Sequence, residues 1–143
     1  MANPDHVARL RESVEDWNRW RAEWPVLRPD LYEAWLPHAD LAQADLSRAD
    51  LRRAVLNDAV LRGASLAKAD LSEALFHKAD FVGADLVGAK LDWAQGLGAN
   101  FLEPVMHFAT GSVRSTPIHQ RSWRRISFRS PSEPRGLRAG PSS

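Results

Sequence analysis

The sequence predicts an all-β solenoid over residues 34–103, and three observations predict it. Alanine stands at every fifth position from Ala34 through Ala99, fourteen positions of fourteen. Two residues after each alanine comes Leu or Phe at thirteen of the fourteen sites, with Gly96 alone breaking the series. Neither ordinary element can use that period. A helix turns about 100° per residue, so successive leucines would move by ~140° and share no face. A flat strand alternates faces every residue, so an odd spacing would throw the leucines to opposite sides.

The solenoid accommodates the period. Within a unit, alanine and leucine are two apart and face the same side of a short extended segment. Corners of about 90° between units close a square coil after four of them, roughly twenty residues, and stacked coils pair backbone to backbone at about 4.8 Å. Fourteen units then make three and a half coils, roughly 17 Å of stack at that spacing. Ala suits the crowded inner wall, Leu and Phe fill the centre, and Asp, Ser, Arg and Lys point outward. Gly63, Gly83, Gly88 and Gly98 hold the last position of their units, where a corner needs positive φ. A long helix, which Ala/Leu/Arg/Glu-rich composition would favour, fails on phase and on these glycines.

The units HADLA, QADLS, RADLR, KADLS, KADFV and GADLV resemble the A(D/N)LXX motif of the pentapeptide-repeat family. The resemblance covers about half the chain and implies a right-handed quadrilateral β-helix of about 3.5 coils. It implies no one activity, since fold and function separate. WNRWR followed by RPDL also resembles the lead-in of some bacterial members.

Residues 1–33 read as a helical cap, because a stacked solenoid exposes apolar coil ends unless something covers them. Asn3 is an N-cap with Pro4 at the first helical position. Val7, Leu10, Val14, Trp17 and Trp24 keep helical spacing with Trp20 nearby, and Pro25 stops the helix. The tryptophan stripe is expected to pack on the first coil rather than bind a partner. Residues 104–143 form a basic Ser/Pro/Arg-rich tail. Val105, Met106 and Phe108 are expected to cover the last half-coil, and disorder is expected for most of 110–143 apart from a short run around Trp123, Ile126 and Phe128. The abrupt change of composition is what a frameshift or truncation of a longer array would leave; further A(D/N)LXX units in another reading frame downstream would be its mark.

Charge follows the same division. Residues 1–33 carry five Arg against seven acids, net −2; residues 34–103 carry seven Lys/Arg against ten acids, net −3; residues 104–143 carry seven Arg against Glu133, net +6. The chain has no cysteine, which excludes disulfides, thiolate metal sites and cysteine nucleophiles and fits a reducing cytoplasm. No signal peptide and no apolar run of about 20 residues appear, so no membrane partner is expected.

No constellation supports an enzyme, a cofactor or a metal. His6, His38, His77, His107 and His119 fall in no ligand spacing. No nucleophile elbow or phosphate loop is present, and GLGAN at 96–100 lies inside the repeat phase without strand–helix context. Function must therefore sit on outward positions or at the ends. At twenty residues per coil, Asp40 stacks with Val60 and Asp80, Asp45 with Ser65 and Asp85, and Asp50 with Asp70 and Lys90. These acidic columns are interrupted and interleaved with Arg48, Arg52, Arg53, Arg62 and Lys68. Val82, Val87, Trp93, Leu97 and Leu102 follow in outward positions of the later units and make a candidate apolar interaction strip, with the tail folding back over them as the competing expectation. Arg121, Arg124 and Arg125 around Trp123 are a weaker candidate for nucleic acid.

The function expected is a non-catalytic protein–protein interaction or scaffolding module with an unidentified protein partner, or a second copy in a homodimer. The alternative comes from the resemblance. One branch of the family mimics duplex DNA and binds DNA gyrase, but its members are longer, strongly acidic and dimeric.

Overall fold

The computed structural model of the protein describes residues 1–101 and 113–114. Parallel single-residue bridges join positions twenty apart all along the repeat. They define four faces of a coil. Asp30, Asp50, Asp70 and Lys90 stack on the first face; Trp35, Val55, Leu75 and Gln95 on the second; Asp40, Val60, Asp80 and Asn100 on the third; Asp45, Ser65 and Asp85 on the fourth. Each side is so short that one residue per unit completes a bridge, so among the described residues regular strand is confined to β1 (Ala94–Gln95) and β2 (Val113–Arg114). The ladder is nonetheless regular: the Leu41 N–H donates to the Val60 carbonyl at 2.7 Å, and the Val60 N–H donates to the Ala39 carbonyl at 2.9 Å.

Corners are four-residue turns in which the alanine N–H of one unit donates to the leucine carbonyl of the unit before, as Ala64 does to Leu61 at 3.1 Å. The third residue of each turn is left-handed, as in a type II turn. The sequence assigns this conformation to glycines alone. The structure assigns it to every corner, including ten non-glycine residues from Glu33 to Trp93 with φ between 56° and 63°. The ladder fixes both neighbours of the corner, so the side chain there must accept αL geometry.

Alanine and Leu/Phe line the interior, almost all of them fully buried. The break at Gly96 has a cause. Gly96 stacks on Phe76, and a Cβ at Gly96 would collide with the Phe76 ring. That ring meets Phe81 edge-on at 5.1 Å, while Phe81 and Phe101 stack at 4.6 Å. One coil supplies two large rings and the next gives up a side chain to hold them.

The N-terminal segment is two helices rather than one. Between α1 (Pro4–Glu12) and α2 (Val14–Glu23), Ser13 is extended at φ −162° and its hydroxyl accepts the Asp16 N–H at 3.2 Å. Ser13 thus caps a second helix, a signal that the hydrophobic spacing running through Val14 conceals. Trp24, placed by that spacing on the packing stripe, is exposed.

The helices answer the downward-facing polar groups of the first coil. The Asn18 side-chain oxygen accepts the Asp45 N–H at 2.7 Å, as the Ala44 carbonyl accepts the Ser65 N–H one coil up, and its amide nitrogen donates to the Gln43 carbonyl at 3.0 Å. The fully buried Trp17 donates Nε1–H to the Asp45 carbonyl at 2.9 Å. His6 Nδ1 accepts the Asp30 N–H at 3.0 Å, and Arg11 donates to the Trp35 carbonyl. Arg21, buried, reaches the Leu27 carbonyl at 2.6 Å and the Ser47 carbonyl at 3.0 Å. Its Nε lies 3.9 Å from Asp45, and burial pushes its pKa down.

β2 pairs parallel to β1, with Val113 opposite Ala94 and Arg114 opposite Gln95. Apart from these two residues, the stretch 110–143, for most of which disorder is expected, lies outside the described residues. Val105, Met106, Phe108 and the run around Trp123 lie outside the described residues.

Candidate interaction surface

The outward residue before each inward leucine sets the character of a face. Where it is aspartate, its carboxylate turns back on its own backbone. Asp30, Asp40, Asp45, Asp50, Asp70, Asp80 and Asp85 each accept the N–H two residues on, at 3.0 to 3.2 Å. That N–H belongs to a corner and has no place in the ladder, so the Asx bond satisfies it. The six aspartates of the predicted acidic columns thus all have a local structural task. The columns have the predicted register and are also partly neutralised. Arg52 bonds Asp50 at 2.8 Å and holds its carboxyl below the usual carboxylate range, and Arg62 pairs with Asp80.

The second face does without aspartate. Its bridge residues are Trp35, Val55, Leu75 and Gln95. Two of the corner N–H groups beside it are satisfied from the coil beneath: Asn57 Oδ1 accepts the His77 N–H at 2.9 Å, and His77 Nδ1 accepts the Leu97 N–H at 3.0 Å, while Pro37 has no N–H to satisfy. At these three corners no aspartate is needed to satisfy a donor. His77 is occupied in this ladder, and no group of three or more metal-ligating side chains forms among the described residues.

The four described residues of the predicted strip do not lie together. Val82 sits half-buried at the corner between the third and fourth faces, and Val87 half-buried between the fourth and first. Trp93 stands between the first and second faces and Leu97 between the second and third, both exposed. Leu102 is outside the described residues. Among the described residues, the exposed large apolar side chains of the solenoid are Trp35 at 64%, Trp93 at 62% and Leu97 at 42%, and all three lie on the second face or its two corners. A cavity of about 560 Å³ opens there, lined by Arg53, Glu73, Leu75, Trp93 and Gln95. Sequence reading missed Trp35, Val55 and Leu75, although a signal existed: the units WLPHA, VLNDA, LFHKA and QGLGA, twenty residues apart, all lack aspartate at their first position.

This repeat and its coil define the class. A family model of pentapeptide repeats matches in eight copies over residues 30–59 and 54–92. The chain belongs to the pentapeptide-repeat family. Among solved structures it is similar to HetL, a pentapeptide repeat protein involved in heterocyst differentiation regulation from the cyanobacterium Nostoc sp. strain PCC 7120, at 27% identity and a TM-score of 0.50. That match covers 68% of this chain and only 43% of HetL. A second pentapeptide repeat protein of Nostoc matches at 33% identity over 67% of this chain and 78% of its own, with a TM-score of 0.48. One from the Arabidopsis thaliana thylakoid lumen matches at 32% identity, over 54% and 57% of the two chains, with a TM-score of 0.45. No curated protein matches the sequence. Among the described residues no helix is long and apolar enough to cross a membrane.

Proposed function

We propose that the chain is a non-catalytic protein-interaction module whose contact surface is the second face of the solenoid. One observation carries the proposal: among the described residues, the exposed large apolar side chains of the solenoid gather on that face and its corners, Trp35, Trp93 and Leu97 around Val55 and Leu75. Such clustering marks interfaces, and tryptophan with arginine is the composition of interface anchors. In the same proposal α1 and α2 serve as the lid of a right-handed four-sided solenoid, and the setting is the bacterial cytoplasm, in keeping with a chain that has no cysteine.

The test is a double variant, Val55→Asp with Leu75→Asp, compared with Lys68→Gln at the corner between the fourth and first faces. The face variant should abolish capture of a partner from the host, or dissociate a homodimer in sedimentation, while coil structure by circular dichroism is unchanged. Unchanged capture and mass would overturn the assignment of the face. The DNA-mimic alternative requires a continuous negative stripe. Against it stand Lys90 at the end of the first-face column, Val60 and Ser65 inside the other two, and carboxylates committed to backbone N–H groups. A gyrase supercoiling assay checks it directly, and no inhibition is the outcome expected here.

A further inference from the structure

The lower rim of the first coil is covered on the first, second and fourth faces and open on the third. His6 and Asn3 answer Asp30, Arg11 answers Trp35, and Trp17 and Asn18 answer Asp45. Asp40, the first residue of the third face, has no such partner: its N–H and carbonyl make no hydrogen bond among the described residues. In the coils above, the same groups are in use. Val60 and Asp80 donate to the carbonyls of Ala39 and Ala59 at 2.9 Å each, and their own carbonyls accept from Leu41 and Leu61 at 2.7 Å.

Burial reports the same gap independently. Ala39 alone among the repeat alanines from Ala34 to Ala99 is only partly buried. Asp40 is exposed where its column neighbours Val60 and Asp80 are half-buried. A cavity of about 350 Å³ lies beneath, walled by Leu10, Leu36, Ala39 and Leu41 with Arg11 and Pro37 at its margin. Leu10 and Arg11 belong to α1, so the cavity continues the interface through which α1 already covers the coil.

We infer that this gap is a peptide-binding edge, which accepts an extended segment of a partner protein as an extra rung beneath Asp40. The register of the ladder specifies the segment. Its small residue accepts the Asp40 N–H, as Ala39 does from Val60. Two residues later an apolar residue donates its N–H to the Asp40 carbonyl and turns its side chain into the cavity below Leu41. The occupant is therefore a small–x–Leu/Phe segment in extended form, with main-chain bonds giving affinity and the cavity giving selectivity. Trp35 of the second face also lines this cavity, but the main-chain groups that define the edge belong to Asp40 on the third face, whereas the contact surface is tested at Val55 and Leu75, so either can fail without the other.

The probe is a blocked heptapeptide with an Ala-Asp-Leu core, added to the full ¹⁵N-labelled chain. Expected are shifts and slowed exchange at the Asp40 amide, with those of Val60 and Asp80 unaltered. Methylating the leucine nitrogen of the peptide should weaken binding about tenfold, the value of one lost hydrogen bond. Asp40→Pro should remove binding and leave the fold intact, whereas Asp80→Pro, which deletes a ladder donor, should unfold the coil. If Asp40→Pro does not fold, the methylated peptide still decides. Equal binding of both peptides, shifts elsewhere than the rim, or no shift at millimolar peptide would overturn the assignment. So would self-association that Asp40→Pro abolishes, which would place a second copy in the gap.

Discussion

His6 holds the first coil through a nitrogen that must stay unprotonated, because Nδ1 accepts the Asp30 N–H. Burial lowers its pKa from 6.5, Arg9 adds to the lowering, and Asp30 and Asp5 pull the other way. The folded value is thus depressed relative to the unfolded chain. The stability His6 contributes is complete above 6.5 and is lost as pH falls through the folded value. Asp50 titrates in a separate window, since its bond to Arg52 holds it below 3.8. Urea midpoints of the native chain should therefore decline below pH 6.5, above the window in which Asp50 titrates. His6→Asn, which places an oxygen where Nδ1 stands, should flatten that decline. A second prediction at this scale concerns the left-handed corners. Arg48 has φ 62° and its charge opposes that of the buried Arg21. Arg48→Asn suits αL and removes the repulsion, so it should stabilise the protein by about 0.5–1 kcal/mol, read as a higher urea midpoint at constant m.

At the scale of elements, the cap and the aromatic coil are built by substitution of one group for another. The Asn18 side-chain oxygen stands in for a peptide carbonyl beneath Asp45, and its amide nitrogen donates to the Gln43 carbonyl. Asn18→Leu strands the Asp45 N–H and should cost about 1–3 kcal/mol. Asn18→Asp keeps the acceptor and should cost less, a difference that chemical denaturation resolves. Gly96 and Phe76 share one volume. Gly96→Leu alone overpacks the core, at about 1–3 kcal/mol. Phe76→Leu alone leaves a void and costs roughly 1 kcal/mol or more. Together the two variants restore the Leu-on-Leu stacking of other columns, so a double-mutant cycle should show strong favourable coupling. This pairing explains why the repeat was legible and its exception was not. The period of five is a property of every unit, whereas the reason for Gly96 lies twenty residues away and emerges only when coils are stacked. The break at Ser13 was hidden for a related reason, since Val7, Leu10, Val14 and Trp17 keep one apolar phase across it. The candidate surface was half visible: Trp93 and Leu97 stood out as apolar corner residues, but Trp35, Val55 and Leu75 are recognisable only as a column of period twenty.

Across the whole molecule, each coil touches only its neighbours, so stability is a sum of coil terms and interface terms along one axis. The second coil has neighbours above and below on every face. The first coil rests on two short helices that leave the third face unpaired at Asp40. Interior coils should therefore open last. Amide exchange should be slowest at Leu56, Leu61, Ala64 and Leu66, whose N–H groups are bonded within closed coils. It should be faster at Leu36, Ala39 and Leu41, next to the open rim, even though Leu36 and Leu41 bond in the same ladder at 2.8 and 2.7 Å and Ala39 in a corner turn at 3.4 Å. Truncating a core leucine then has an effect that depends on position. Leu61→Ala, in the second coil, should cost about 2–5 kcal/mol and lower protection in the coils on both sides, because each side loses a packed neighbour. Leu36→Ala, at the rim, should cost less and confine its effect to the first coil, where the cavity beneath it already leaves one side unpacked. Exchange measured residue by residue on the two variants distinguishes this one-dimensional coupling from a single cooperative core. In a single core both variants would lower protection uniformly from Leu36 to Phe81.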